Sequence, residues 1–305
     1  MRTMAIDGNN LIIRSVKATE GRVEMSADGI YTAHLVVFIN SLSRYVRETK
    51  PDRVVICWDT GRSARRVAIY PEYKASRRTS IDIQAQDAGG DFTPTPEQEA
   101  KESAFGLART FLSLAGLHHV AVPGVEADDL IAYYWRSRAP GDEYVILSGD
   151  KDFFQLLDAT TTQHRPGPET DLWTEDRVLN DLNCIPLQLP DIMALSGDSI
   201  DGVPGAAGFG HKTACKFLAK YDWNLDRLLA AGEAKLSGQE EIVRISRQLV
   251  DLRKTDYVGI DMPPLPRFEP TNHMSPLWMA LLEYLDQYQL RSIKERLVTG
   301  TLWSS

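Results

Sequence analysis

Apolar residues recur along this chain in two rhythms. Short runs at 3–6, 53–58, 118–122 and 143–147, each followed by polar or glycine-containing sequence, predict strands. Between them, Leu35, Val36, Ile39, Leu42, Tyr45 and Val46 fall at helical spacing and predict a helix over 32–48. A Thr95-Pro96 cap and an acidic first turn open a second helix over 96–114, and 126–138 follows the same logic. Short strands alternating with amphipathic helices point to an α/β fold whose parallel sheet is covered on both faces. From about residue 186 the strand signals fade, and helices are expected over 189–195, 211–220, 225–231, 239–252 and twice more after Ser275. The chain thus divides into an α/β part, 1–185, and a helical part, 186–305. Two stretches break the periodicity. One, 79–92 with Gly89-Gly90, reads as a mobile loop; the other, 256–276 with Pro263, Pro264, Pro266, Pro270 and Pro276, reads as a rigid surface connection. There is no internal repeat.

With 305 residues, 43% of them hydrophobic and 25% charged, the chain can bury a substantial core, which excludes disorder as its main state. No apolar run approaches the roughly 18 residues of a membrane span, and the N-terminus lacks the apolar segment and cleavage site of a signal peptide. A cytoplasmic protein without a membrane partner is expected. Cys57, Cys184 and Cys215 are odd in number and far apart, so neither a disulfide framework nor a C-x-x-C site is available, and each is read as a small buried hydrophobe.

Acids stand where a parallel sheet places its ligands, just beyond the carboxyl ends of its strands. Asp7 ends the first predicted strand and Asp59 the second; Glu126, Asp128 and Asp129 follow the third, and Asp150 and Asp152 the fourth. Asp198 and Asp201 form a further pair in a glycine-flanked turn. Taken singly, each acid reads better as a helix cap or turn former than as a metal ligand. Taken together they would repel one another on one rim, a situation relieved by cations, and all-oxygen ligation selects Mg2+ or Mn2+ over zinc or copper. The formal net charge is −8, which argues against a polyanionic partner, yet setting aside these nine acids leaves +1. Arg62, Arg65, Arg66, Lys74, Arg77 and Arg78 face only Glu72 within 62–78, a candidate phosphate contact.

The run from Gly205 to Thr213 fails the phosphate-loop pattern, because His211 separates Gly210 from Lys212 and no strand precedes it. Two readings remain: an ordinary glycine turn between helices, or a helix-hairpin-helix in which Gly208, Gly210, Lys212 and Thr213 hold a backbone phosphate without reading bases. The six histidines have no zinc spacing, and no G-x-S-x-G elbow is present. The six tryptophans are scattered, as core anchors are.

Five ordered motifs span nearly the whole chain: Ile6-Asp7-Gly8-Asn9-Asn10; Trp58-Asp59-Thr60-Gly61-Arg62-Ser63 leading to Tyr70-Pro71-Glu72-Tyr73-Lys74-Ala75-Ser76-Arg77; Gly124-Val125-Glu126-Ala127-Asp128-Asp129; Ser148-Gly149-Asp150-Lys151-Asp152; and the run from Gly197 to Gly205. In these the chain resembles the 5′-nucleases of the flap endonuclease type, similar to the 5′-to-3′ exonuclease domain of bacterial DNA polymerase I and its stand-alone bacteriophage relatives. The resemblance implies a PIN-like parallel sheet flanked by helices, a helical arch over about 62–100, and a helix-hairpin-helix that grips duplex and holds a potassium ion. It implies two divalent ions, the first with Asp7, Asp59, Glu126, Asp128, Asp129 and Asp150, the second with Asp150, Asp152, Asp198 and Asp201. Tyr73, Lys74 and Arg77 match the catalytic residues at the foot of the arch, where the cations steer the phosphodiester and stabilise the transition state, and Arg62, Arg65, Arg66 and Arg78 are then steering or backbone contacts. The implied substrate is branched or 5′-ended DNA, with RNA of an RNA–DNA hybrid as a second, cleaved by a monomer whose polymerase partner is a separate protein. Two departures stand out. Gly202 replaces the family's usual Asn, removing a hydrogen-bonding side chain and loosening that turn, and the segment completing the arch carries Asp82, Asp87 and Asp91. The alternatives are a single-strand ribonuclease of the PIN-like class, which needs neither hairpin nor arch, and a non-catalytic DNA-binding protein, which should have lost carboxylates.

Overall fold

The computed structural model describes residues 1–20, 29–75, 96–169, 171–254, 262 and 264–304, with side chains from 103 onward in the helix that begins at 96. The expected loop at 79–92 therefore lies outside the described residues, as do Arg77 and Arg78. Among the described residues six strands form one mixed sheet in the order β3-β2-β1-β4-β5-β6. They are β1 (Arg2–Asp7), β2 (Arg53–Trp58), β3 (His119–Ala121), β4 (Glu143–Leu147), β5 (Thr161–Arg165) and β6 (Asp171–Trp173). The first five are parallel, as the alternation predicts; β6 runs antiparallel to β5 along the edge, with Gln163 opposite Trp173.

Strand residues alternate between two cores, as a sheet covered on both faces requires. Met4, Ile6, Val54, Ile56 and Trp58 pack with α1 (Gly8–Ala18), α2 (Ala33–Thr49) and α4 (Pro96–Leu114), contributing Leu11, Phe38 and Phe111. Ala5, Val55, Cys57 and Ile146 face α5 (Ala127–Arg136) with Leu130 and Ile131. A short α3 (Ala64–Ile69) leads toward the segment at 71–75, and α6 (Glu175–Leu182) follows the sheet.

The helical part holds α7 (Leu189–Ser196), α8 (His211–Ala219), α9 (Leu225–Ala230) and α10 (Glu240–Val250), built around Ile192, Leu195, Phe209, Leu218 and Leu228. The last two helices, α11 (Trp278–Gln287) and α12 (Arg291–Val298), return to the sheet and add Leu281, Tyr284, Leu285, Ile293 and Leu297 to the core of α1, α2 and α4. Of the proline-rich connection, 264–276 is described and carries no helix or strand; the Phe268 and Thr271 amides tie it to the carbonyls of Asp52 and Ala115.

Candidate active site

The carboxyl ends of the central strands are locked together by close packing and three short polar side chains. Gly8 lies against the indole of the fully buried Trp58, where a Cβ would come within 2.6 Å of a ring carbon. The residues flanking this contact are Asp7 and Asp59, so it sets the spacing of two carboxylates on neighbouring strands. Asp7 then caps α1, accepting the Asn10 amide at 2.9 Å. Asn9 Oδ1 accepts the Asp59 amide at 3.0 Å, and Asn10 Oδ1 accepts that of Gly149 at 2.9 Å, so one helical turn holds the ends of β2 and β4. The buried Ser148 hydroxyl donates to Asp7 Oδ2 at 2.9 Å and accepts the Asp150 amide at 3.1 Å. Asn9, Asn10 and Ser148 are positioning residues that the sequence reading passed over; their adjacency to the acids within each motif was the available signal.

Asp59 accepts the Ala127 amide at 2.6 Å and so fixes the start of α5, which carries Asp128 and Asp129 in its first turn. Around Glu126 lies a buried ion cluster. The guanidinium of Arg66 meets Glu126, Asp128 at 3.2 Å and Asp129 at 2.8 Å, while its Nε donates to the Leu249 carbonyl at 2.9 Å. Glu126 also accepts the Tyr73 hydroxyl and the Lys74 ammonium, each at 2.9 Å. This corrects one expectation. Arg66, read as a phosphate contact, is 1% exposed, and no backbone phosphate reaches it without breaking these pairs. Arg62 clasps the carbonyls of Pro71 and Tyr73, and Arg65 donates to the Gln248 carbonyl at 3.0 Å.

The remaining acids lie close by, Asp150 within electrostatic reach of both Asp7 and Asp152. Asp150 accepts the Asp152 amide at 3.0 Å, and Asp198 turns the chain by accepting the Ile200 and Asp201 amides. Reciprocal bonds between Asp198 and Val203 close this hairpin. Asp128, Asp152, Asp198 and Asp201 line one cleft with Arg66 and Tyr73, and Lys74 Nζ reaches Asp201 Oδ2 at 3.6 Å. Tyr73 and Lys74 therefore stand between the two expected carboxylate groups. Further along, Gly210 starts α8, with exposed Lys212 and half-buried Thr213 in its first turn; Gly208 has a left-handed φ of +77°.

Electrostatics set this rim apart from the surface. Burial, with repulsion from Asp59 and Asp150, pushes Asp7 up to about 7 against the lowering effect of the Asn10 amide. Burial, with Asp128 and Glu126 nearby, pushes Asp59 to about 6 despite the Ala127 amide. Asp152 is raised well above the carboxylate range by burial and then by Asp150, Asp201, Asp128 and Asp198. Burial would raise Asp128 too, but Arg66 and Lys74 hold it below the usual value. A set of oxygen donors left this short of positive charge fits divalent cations. Carboxylate oxygens of Glu126, Asp128 and Asp129 approach within 4.8 Å of one another, though an ion there would share them with Arg66.

A mixed sheet with acids at its carboxyl rim, followed by a helical part with a glycine hairpin, defines the class: a resolvase-like domain joined to a SAM fold. The family model described as the 5′-3′ exonuclease N-terminal resolvase-like domain matches residues 2–183, and its C-terminal SAM-fold counterpart matches 184–272. The chain belongs to the 5′-3′ exonuclease family. It is 32% identical over 269 residues to a 5′-3′ exonuclease of Halalkalibacterium halodurans, covering 82% of each chain. It is 29% identical to DNA polymerase I of Mycobacterium tuberculosis over 96% of its own length, and spans 31% of that relative's. The bacteriophage T5 flap endonuclease, in a pseudo-enzyme-product complex with DNA and metal ions, shares the fold with a TM-score of 0.64 at 19% identity, covering 99% of this chain and 98% of that one. Among the described residues no helix is long and apolar enough to cross a membrane.

Proposed function

We propose that the protein is a structure-specific 5′-nuclease, a flap endonuclease and 5′-to-3′ exonuclease that hydrolyses phosphodiester bonds of branched or 5′-ended DNA in replication or repair. The observation that carries this reading is the meeting of Asp128, Asp152, Asp198 and Asp201 in one cleft, with Asp7, Asp59 and Asp150 within electrostatic reach of its rim and the Lys74 ammonium between Glu126 and Asp201. Residues 1–185 would carry the chemistry and 186–305 the duplex grip. Asp7, Asp59, Glu126, Asp128, Asp129 and Asp150 would hold a first Mg2+ or Mn2+, and Asp150, Asp152, Asp198 and Asp201 a second. Bound there, such ions activate water and neutralise charge on the scissile phosphate and leaving oxygen.

The chain's own groups do the rest. Lys74, whose ammonium already lies between Glu126 and Asp201, would donate to a nonbridging phosphate oxygen and stabilise charge developing there. Tyr73 holds Glu126 in place through its hydroxyl. Arg77 would add a second cation, and Arg62, Arg65 and Arg78 would steer the single strand beneath the arch. Gly208 and Gly210 let a backbone phosphate approach the start of α8, where Lys212 and Thr213 would grip duplex beside a potassium ion. RNA of an RNA–DNA hybrid fits the same contacts, which read phosphates rather than bases. The protein would act as a cytoplasmic monomer, with a DNA polymerase as its functional partner.

The test is product mapping on a labelled 5′-flap duplex with Mg2+ or with chelator. Wild type should cut near the branch only with Mg2+, Asp150→Ala should lose at least about 100-fold in rate, and Asp201→Ala and Lys74→Ala should each lose at least about tenfold. If wild type and Asp150→Ala bind the flap equally and neither cuts with Mg2+ or Mn2+, the protein is a DNA-binding protein instead.

A further inference from the structure

Gly202, which from sequence alone marks a loosened turn, sits against the main chain of residues 72–74 beside the cleft. Its φ is +69°, and a Cβ there would lie 2.9 Å from the Glu72 carbonyl oxygen and 3.3 Å from the Lys74 amide nitrogen. Both neighbours are main-chain atoms, so no side-chain rotation relieves the overlap. The tripeptide at 72–74 thus rests on a bare Cα. Its other contacts lead to both groups of acids. The Lys74 amide donates to the Asp201 carbonyl at 2.8 Å, and the Tyr73 ring is buried with Val203, Leu249 and Val250. The Tyr73 hydroxyl and Lys74 Nζ both end on Glu126, and Nζ also faces Asp201. Lys74 itself has a left-handed φ of +51°, unusual for a residue with a side chain, and is held by its amide bond to Asp201 and its ammonium contacts with Glu126 and Asp201.

We infer that Gly202 is a positioning residue: by lacking a side chain it lets residues 72–74 dock on the Asp198–Val203 hairpin, which holds the Lys74 ammonium between Glu126 and Asp201. Any side chain at 202 undocks it, Asn included. Asn is the informative substitution, because it tolerates a left-handed φ better than other residues yet still carries the Cβ. The docking stands on the contacts alone; its effect on turnover rests on the nuclease reading above.

The experiment compares wild type, Gly202→Ala, Gly202→Asn and Gly141→Ala. Gly141 has a similar left-handed φ, +85°, but nothing within 4 Å of its missing Cβ, so it controls for backbone strain. Amide hydrogen exchange at Lys74 should accelerate at least about tenfold in both Gly202 variants and stay unchanged in Gly141→Ala. On the flap substrate kcat should fall roughly tenfold or more in both, with KM within about twofold, as expected for a misplaced group rather than lost binding. Gly202→Asn retaining wild-type exchange and kcat would overturn the inference. If the variants do not fold, wild type still decides: its Lys74 amide should be as protected as that of Val203, and an unprotected one refutes the docking. An inactive wild type with a protected Lys74 amide would remove the nuclease reading while leaving the docking intact.

Discussion

At the scale of single residues, Arg66 shows how far a charge in a sequence is from a charge in a site. It lies among Arg62, Arg65, Arg77 and Arg78, which makes the segment look like one basic strip. In the folded chain its guanidinium is surrounded by three carboxylates and a carbonyl. Removing it leaves those carboxylates buried and uncompensated, so Arg66→Ala should cost about 3–5 kcal/mol in chelator-treated protein. Arg66→Lys should recover less than half, because an ammonium cannot span the same forked set of partners. Urea unfolding measures both; a loss under about 1 kcal/mol would mean that the cluster does not need its cation. The acids themselves were legible, since strand ends and motif spacing locate them without any knowledge of contacts. The direction in which Arg66 points was not, because it depends on how α3 packs beside α10, 183 residues away in the chain.

Among elements, the strands β1 to β4 and the helices α2, α4, α5 and α7 to α10 follow from apolar periodicity nearly to their ends, and α11 and α12 are the two helices expected after Ser275. Five of the described elements, α1, α3, α6, β5 and β6, have no counterpart in that periodicity, and α1 and β5 show the physical reason. The α1 sequence opens Gly8-Asn9-Asn10, which reads as a turn, but those residues are spent on joining strand ends. In β5 the inward positions are Thr161 and Gln163, fully buried yet polar. Gln163 donates to the carbonyls of Ser148 and Asp150, and Thr161 accepts from Trp135, so the strand is held by hydrogen bonds that no hydropathy pattern reveals. The junction of β1 with α1 gives an element-level prediction. Gly8→Ala forces a methyl into the Trp58 ring and should cost about 1–3 kcal/mol, read as a lower urea midpoint. Trp58→Phe, with a smaller ring, should offset part of that loss in the double variant. Additive losses in that cycle would rule the contact out as the source.

For the whole molecule, gathering so many acids at one end of the sheet couples stability to protons. Asp7, at about 7, and Asp59, at about 6, stand above their unfolded value of 3.8, so the metal-free fold binds these protons more tightly than the unfolded chain. Their stabilising contribution is complete below about pH 4 and is lost as pH rises through 6 and 7. In chelator, Asp7→Asn should therefore stabilise the protein by roughly 1–3 kcal/mol at pH 8 and far less at pH 5. Divalent metal should bind more tightly as pH rises across this range and release protons as it does, which calorimetry in two buffers of different ionisation enthalpy detects. Equal effects of Asp7→Asn at both pH values would contradict this coupling. The return of α11 and α12 to the sheet has a different consequence, for a chain emerging from the ribosome. Phe111 and Leu112 belong to the same core as Leu281 and Leu297, so that core stays open while the whole helical part is made. At about 5–20 residues per second the gap lasts roughly 10–40 s. Over that interval the growing chain carries an uncovered apolar face, and chaperone demand in its biogenesis should be concentrated there.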